Sequence, residues 1–564
     1  MKVLIVGGVA GGASCAARLR RLDETAEITL VERGPYMSFA NCGLPYHTSG
    51  IIAREQDLLV ANAAYFRDNM NIDARTNCEA VAIDAKAKSV DLRDTETGEI
   101  TRHHYDKLVL SPGAPSIAPP IPGIDLPGIF QMRTVPDARA VRDWIEKGSL
   151  FLSGMNKYSG FQTARPKTRA VVVGGGFIGL EMAENLVHRG FDVTVIELRD
   201  QILAPMDQEM AEIVEGHLGH HGVKVVLGDA VTRFDQTEGG AIAVATKSGA
   251  VLPADIVMLA LGVRPDTGLA RRAGLEIGDL GGIRVNDRMQ TSDPDILAVG
   301  DAIEVRDTVT GEWGLVALAG PANRQGRIAA DVIAGRDSRF RGSQGTSIIG
   351  LFGGAAAWTG ASEKTLQRVG TTDYEKVYLY PNSHAGYYPG ATPIAMKVLF
   401  SKTDGRLLGA QAVGMNGVDK RISTLAMAIQ MGATVYDLEE AELCYAPQFG
   451  SAKDAVNFAG MIAADSLRGD MPLAHWGERG DAILLDVREP TECSVESVEG
   501  AVNIPLPELR TRLGELPKDR EIHVICRYGQ RAYYATRLLM QNGFEVRNLS
   551  GGMLSRYHRG ILDA

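Results

Sequence analysis

Two cysteines stand in loops whose neighbours suit a reactive sulfur. Cys42 lies in Ser38-Phe39-Ala40-Asn41-Cys42-Gly43-Leu44-Pro45-Tyr46, after a βαβ nucleotide-binding pattern and at the opening of a predicted helix. Cys526 opens Cys526-Arg527-Tyr528-Gly529-Gln530-Arg531, between the apolar strand Ile522-His523-Val524-Ile525 and a helix predicted over 530–542. A thiol reacts as its thiolate, which helix N-termini and nearby positive charge favour. The strand–cysteine–helix turn at Cys526 aims backbone N–H groups and the helix dipole at one point and keeps Arg531 inside the loop, an anion cradle suited to a persulfide. Two such sulfurs in one chain point to chemistry on sulfur bonded to sulfur. Cys15 sits among small residues in a predicted helix and, like Cys78, Cys444 and Cys493, reads as structural. The six cysteines show neither a disulfide framework nor metal-ligand spacing, so no metal centre is predicted and a reducing cytoplasm is the expected compartment.

The elements that must position Cys42 repeat one pattern. Residues 2–32 read as a strand, the turn Gly7-Gly8-Val9-Ala10-Gly11-Gly12, a helix and a strand ending in Glu32. Residues 169–197 repeat it with Gly174-Gly175-Gly176-Phe177-Ile178-Gly179 and an end in Glu197. This is the dinucleotide fingerprint in its full context: glycines let the backbone approach a pyrophosphate on the helix N-terminus, and the acid takes ribose hydroxyls. In the first copy Val9 holds the second glycine position, which widens the approach. A strand ending in the turn Ser111-Pro112-Gly113 and another ending in Gly300-Asp301 complete the apolar framework, and a separate unit of about 90 residues follows a link near 467–472.

Bulk properties narrow the class. A chain of 564 residues is too long for one core, which predicts three or four domains. Hydrophobic content of 45% with 23% charged residues is that of an ordinary globular protein. A net charge of −10 argues against nucleic-acid or anionic-membrane binding. Apolar runs fall short of the roughly 20 residues of a membrane span, so no membrane insertion is expected.

On these motifs, residues 1–465 resemble the pyridine nucleotide-disulfide oxidoreductases. The single cysteine of Ser38-Phe39-Ala40-Asn41-Cys42 looks like their coenzyme A disulfide reductase branch, without the two-cysteine redox pair of glutathione reductase-like enzymes. Residues 472–564 resemble a rhodanese domain through Leu485-Asp486-Val487-Arg488-Glu489, Gly500-Ala501-Val502-Asn503-Ile504-Pro505 and the Cys526–Arg531 loop, although Ser497-Val498-Glu499 replaces a common His-Ile approach. The resemblance implies an α/β chain with two Rossmann-like domains, for FAD and NAD, an α+β dimerisation domain and a C-terminal α/β rhodanese domain. The corresponding boundaries are 1–148 (FAD, first part), 149–168 (insertion, with Phe151, Tyr158 and Phe161), 169–285 (NAD(P)H), 286–338 (FAD, second part), 339–466 (dimerisation) and 472–564 (rhodanese).

The same resemblance assigns residues. Gly7, Gly12, Glu32, Ser111, Gly113, Gly300 and Asp301 fall at FAD positions, and Gly174, Gly176, Gly179 and Glu197 at NAD positions. Glu197 bonding the ribose 2′-OH repels a 2′-phosphate and favours NADH over NADPH, with Arg199 as the opposing influence. Ser14, Arg18 and Arg21 recur at helical spacing and match coenzyme A-binding positions, as do Ser38 and Asn41. Tyr387 and Tyr445 match tyrosines that reach the partner subunit's active site in a homodimer, and Asn323 and Lys453 match further ligand-side positions. Catalysis is expected at Cys42, Cys526 and Arg531.

The implied activity is NADH-dependent reduction of coenzyme A persulfide or polysulfide, or of another small thiol persulfide, at Cys42, with Cys526 delivering sulfane sulfur. Coenzyme A enters as substrate or bound carrier. The alternatives are a coenzyme A disulfide reductase, an NADH oxidase or peroxidase using a Cys42 sulfenic acid, and a sulfurtransferase with a regulatory flavin domain.

Overall fold

A computed structural model describes residues 1–155, 168–238 and 240–557. They divide into two compact units: residues 1–200 with 222–343, and residues 201–221 with the chain from 344 onward.

The first unit is built on two parallel sheets. One runs in the order Ile296–Ala298, Lys107–Leu110, Lys2–Val6, Glu27–Val31, Asp73–Arg75. Its central strands are near-continuous apolar runs covered on both faces, and Leu4, Ile5, Leu30, Leu108 and Val109 are buried in them. Ile296 pairs with Leu108, which folds the distant 286–338 segment back onto the first nucleotide motif. The helices Ala10–Arg20 and Ala319–Ile333 then lie backbone to backbone, since a side chain at Gly326 would collide with the Gly11 carbonyl.

The second sheet runs Lys224–Val226, Phe191–Ile196, Thr168–Val173, Ile256–Leu259, Ile129–Gln131. Its last strand corrects the sequence-based division, which gave residue 129 to the first nucleotide domain. Phe130 pairs in parallel register with Met258, and Val257 donates to the Gly128 carbonyl at 2.8 Å. The helix Val135–Met155 runs into the start of the expected insertion; residues 156–167, with Tyr158 and Phe161, lie outside the described residues.

In the second unit an antiparallel sheet runs Ser347–Leu351, Gly354–Gly360, Leu407–Gly414, Ile394–Phe400, Glu375–Leu379. Its two strands 394–400 and 407–414 are buried at every residue. Residues 201–221 belong here too, although the sequence places them in the second nucleotide domain. The cause is polar. Asp207 exchanges two hydrogen bonds with Gln411, at 2.9 and 2.7 Å, and Lys397, fully buried, sets its ammonium 2.8 Å from Asp207, 2.5 Å from Glu363 and against Glu209. Burial alone would raise the Glu209 carboxyl, but the Lys397 charge together with hydrogen bonds from Lys397, its own backbone and Tyr378 brings the group down to about 2.

The C-terminal part of this unit is a parallel sheet in the order Leu473–Ala474, Val546–Leu549, Ile522–Ile525, Ile483–Asp486, Ala501–Asn503. It is joined to the antiparallel sheet by Tyr378 N–H donating to Ser550 Oγ at 3.0 Å and by His475 Nε2 lying 2.9 Å from Glu375 Oε1. No helix among the described residues is long and apolar enough to cross a membrane.

Removing one partner of a buried charge cluster leaves the others uncompensated, which costs about 3–5 kcal/mol. Lys397→Ala should therefore lower the unfolding free energy of the second unit by that order, read by urea denaturation. A loss below about 1 kcal/mol, the range of an exposed ion pair, would show that the three carboxylates do not depend on this lysine.

Candidate active site

The first glycine turn is a place where backbone must come close. A side chain at Gly7, whose φ is +98°, would strike the Ser111 carbonyl, and one at Gly12 would strike the Gly7 carbonyl. Glu32 closes the turn: one carboxylate oxygen accepts the Gly8 N–H and the other the Gly34 N–H, both at 2.9 Å. Ser111 Oγ accepts the Gly12 N–H at 3.2 Å. Beside the turn opens a cleft of about 510 Å³ lined by Gly7, Glu32, Asn41, Ser111, Gly113, Gly300 and Asp301. The expected FAD residues thus come together from three stretches of chain, and Gly12 lies behind them. Arg133, which sequence reasoning missed, holds Asp301 at 2.9 Å across the same cleft. Cys78 also lines it. A side-chain-free turn on an 11-residue helix, a carboxylate at the end of the next strand and a cleft of this volume fit a dinucleotide such as FAD.

The second turn repeats this geometry. A side chain at Gly174 would strike the Ala260 carbonyl and one at Gly179 the Gly174 carbonyl, while one at Gly176 would meet open space. Glu197 accepts the Gly175 N–H at 2.6 Å and the Arg199 N–H at 3.0 Å. Each acid therefore shapes its own glycine turn.

Cys42 lies in the short turn Asn41–Gly43 ahead of the helix Leu44–Ser49, as expected. Its surroundings differ from the expected thiolate-favouring ones. Although the residue is exposed, partial burial of the sulfur and then the charges of Glu181 and Asp301 push its thiol up, with Arg133 opposing them. A six-residue helix offers too little dipole to offset two carboxylates. Asn41 Oδ1 is buried beside the cysteine with no hydrogen-bond partner among the described residues, an acceptor left for a ligand.

Glu181 is the second residue that the sequence did not reveal. It lies on the helix Phe177–His188 that follows the second glycine turn, and this helix packs on the one after Cys42. Tyr46 OH reaches Glu181 Oε1 at 3.4 Å, and Arg189 Nε donates to the Thr48 carbonyl at 2.9 Å. Burial pushes the Glu181 carboxyl up to about 7, against the Tyr46 hydrogen bond and with help from Glu184. Its position two residues after Gly179 was visible, but only the packing shows which way that helix face turns.

Ser14 is hydrogen-bonded to Asn323, bringing two of the expected coenzyme A residues together. Arg18 is engaged at 2.9 Å with Asp331, both largely buried. The helical spacing was right, but that face meets the helix Ala319–Ile333; Arg21, at the helix end, is exposed. Ser38 holds a left-handed backbone, φ +44°, with its N–H on the Gly8 carbonyl at 2.8 Å. In the second unit Tyr387 and Tyr445 share a hydrogen bond of 2.7 Å between their hydroxyls, both side chains exposed, and Lys453 is exposed as well.

Cys526 ends the central strand Ile522–Ile525 of the C-terminal sheet and is buried. Its sulfur accepts the N–H groups of Gly529 at 3.1 Å and Ala532 at 3.4 Å. Gly529, φ +97°, caps the 12-residue helix Gln530–Gln541, a turn that a side chain would strain. The Arg531 guanidinium lies near enough for its charge to act on the same sulfur. The cradle read from the sequence is formed. Elsewhere, Asp207, Glu209 and Glu363 lie close enough to suggest a metal, but the Lys397 ammonium stands among them.

Comparison with known proteins agrees with this geometry. The pyridine nucleotide-disulphide oxidoreductase pattern matches residues 1–326, that family's dimerisation domain matches 351–455, and a rhodanese-like domain matches 473–555. The chain belongs to the pyridine nucleotide-disulphide oxidoreductase family; it is an oxidoreductase with FAD and a pyridine nucleotide as cofactors, carrying a C-terminal rhodanese-like domain. The coenzyme A disulfide reductase of Staphylococcus haemolyticus is 35% identical over 82% of this chain and 99% of its own. The reduced CoADR-RHD of Bacillus anthracis superposes with a TM-score of 0.92 at 45% identity, covering 98% of this chain and 97% of that one. A NAD-dependent persulfide reductase from A. fulgidus does so with a TM-score of 0.88 at 37% identity, covering 98% and 100%.

Glu181 gives a pH prediction. Its folded carboxyl keeps its proton up to about 7, whereas the unfolded chain releases it near the ordinary 4.5. The folded state binds more protons in that window, so this group's contribution is complete below 4.5 and is lost as pH rises through about 7. Glu181→Gln should gain thermal stability at pH 8 relative to pH 5, and Cys42 should be alkylated by iodoacetamide at lower pH. An unchanged pH dependence of both would place Glu181 in water.

Proposed function

We propose that this protein is a cytoplasmic, homodimeric NADH-dependent reductase of coenzyme A persulfide or a similar small thiol persulfide, with overall reaction NADH + R–S–SH → NAD⁺ + R–SH + HS⁻. The observation that carries this reading is the presence in one chain of a sulfur beside a dinucleotide cleft, Cys42, and a sulfur held by backbone N–H groups, Cys526. A disulfide reductase needs only the first; the second suits a persulfide. The relatives named for coenzyme A disulfide and persulfide reduction support the substrate class.

Gly7, Gly12, Glu32, Ser111, Gly113, Gly300 and Asp301 hold FAD, which supplies two-electron transfer between nicotinamide and sulfur. Gly174, Gly176, Gly179 and Glu197 hold NADH, and the carboxylate at Glu197 disfavours the 2′-phosphate of NADPH. The Cys42 thiolate attacks the substrate S–S bond, which divides one reduction into two displacements. Ser14, Arg21, Ser38, Asn41 and Asn323 orient the thiol carrier. Cys526 takes sulfane sulfur from a donor and passes it to coenzyme A or toward Cys42. The exposed pair Tyr387 and Tyr445, with Lys453, serves the active site of the partner subunit.

Steady-state NADH oxidation with coenzyme A persulfide, coenzyme A disulfide, oxygen and peroxide tests the reading. The persulfide should give the highest kcat/KM, by about tenfold or more, about 1.4 kcal/mol in transition-state binding. Faster turnover of oxygen or peroxide would make the protein an oxidase or peroxidase instead.

The tyrosines give a second test. Tyr387→Phe and Tyr445→Phe should each slow persulfide turnover while sparing the bleaching of bound flavin by NADH. A heterodimer of Cys42→Ser and Tyr445→Phe subunits should recover one working site; no recovery would confine both groups to one chain.

A further inference from the structure

The cradle around Cys526 carries its charges in closed pairs. Arg531 gives both terminal nitrogens to Glu492, Nη1 to Oε2 at 2.6 Å and Nη2 to Oε1 at 2.8 Å, and its charge also acts on the Cys526 sulfur. Behind it Arg488 is tied to Asp486 at 2.7 Å, both buried. Glu492 is fixed in its turn, because Oε2 accepts the Glu489 N–H at 3.1 Å where the helix Pro490–Val495 begins. The Arg531 hydrogen bonds bring its carboxyl down to about 2, so it stays charged at working pH. Arg527 is exposed, with its guanidinium 5.4 Å from the centre of the Tyr528 ring. The Arg531 and Glu492 charges therefore cancel where they face the sulfur. Apart from the exposed Arg527, what remains to hold an anion is the Gly529 and Ala532 N–H groups and the positive end of one helix.

Sulfur donors differ in the charge they bring to the breaking bond. With thiosulfate, the Cys526 thiolate attacks the outer sulfur, that sulfur's bond to the sulfonyl sulfur breaks, and sulfite leaves with the electron pair: Cys–S⁻ + S–SO₃²⁻ → Cys–S–S⁻ + SO₃²⁻, three negative charges throughout. With an organic persulfide the thiolate takes the outer sulfur and its proton, and a thiolate leaves: Cys–S⁻ + R–S–SH → Cys–S–SH + R–S⁻, one negative charge throughout. Concentrating three charges at the buried Cys526 sulfur calls for uncompensated positive charge, which the closed Arg531–Glu492 pair withholds.

We propose that the Cys526 site selects organic persulfides, whose charge lies far from the sulfur, over thiosulfate, and that Glu492 sets this selectivity by neutralising Arg531. This rests on the reading of Cys526 as a sulfur-accepting thiol. Coenzyme A persulfide meets the requirement, since its phosphates lie at the far end of the pantetheine arm.

The test uses the full-length holoenzyme with two donors, thiosulfate and N-acetylcysteamine persulfide, which carries no other charge. Mass spectrometry of the peptide containing Cys526 follows the gain of one sulfur with time. Glu492→Gln should raise the loading rate from thiosulfate about tenfold while changing that from the persulfide about twofold or less. Glu492→Asp, which keeps a carboxylate toward Arg531, should retain the wild-type ratio of the two rates. The double variant Glu492→Gln with Arg531→Gln, neutral without either charge, should also retain that ratio and covers the case in which Glu492→Gln alone is unstable. An unchanged ratio in folded Glu492→Gln, or a ratio shifted tenfold toward thiosulfate in the neutral double variant, overturns the assignment. Loading by neither donor in the wild type would instead sink the reading of Cys526 as a sulfur acceptor.

Discussion

A sulfur anion inside a protein must be stabilised without being consumed, and that requirement shapes both sulfur loops. At Cys526 the solution is backbone: two N–H groups converge on the sulfur at 3.1 and 3.4 Å, and the helix behind them adds its dipole. Such donors carry no proton to lose at working pH and cannot reorient, so they favour the anion at little cost in reorganisation. At Cys42 the surrounding charges work the other way. Glu181 and Asp301 favour the thiol, Arg133 favours the thiolate, and the balance shifts with the protonation of Glu181 near neutrality. One sulfur is thus held ready, and the other responds to its surroundings.

The rest of the fold can be read as support for these two loops. Parallel sheets buried on both faces fix the glycine turns at strand ends, and Glu32 and Glu197 clamp those turns through the N–H groups of Gly8 and Gly175. The Tyr46–Glu181 contact ties the helix after Cys42 to the helix that begins the second nucleotide motif. In the second unit the buried Lys397 gathers acids from residues 207, 209 and 363, and the C-terminal sheet is joined to the same region through Tyr378 and Ser550. These polar joints are directional, so they specify one arrangement where apolar packing alone would tolerate several.

Most of what the sequence revealed depends on neighbours along the chain. The glycine turns, their acids some 22 to 24 residues on, and the Cys526 loop are local motifs, and the structure forms each of them. What it concealed depends on partners far apart. Strand 129–131 crosses to the second sheet because it pairs with residues 257–259. Residues 201–221 join the second unit because Asp207 meets Lys397 and Gln411. The partner of Arg18, Asp331, lies on a helix from a remote stretch of the chain. Arg133, Glu181 and Glu492 lie in no motif that names a role; only their distances to Asp301, Tyr46 and Arg531 do so. Helical spacing fixed which residues share a face, but not what that face meets.

The division of labour between the two sulfurs is the central claim, and NADH oxidation with preformed coenzyme A persulfide tests it most directly. In folded, flavin-loaded protein, Cys42→Ser should abolish turnover, whereas Cys526→Ser should leave it within about twofold of the wild type, because a preformed persulfide reaches Cys42 without a delivery step. Equal loss in both variants would contradict the account and make Cys526 an obligatory relay in the reduction itself.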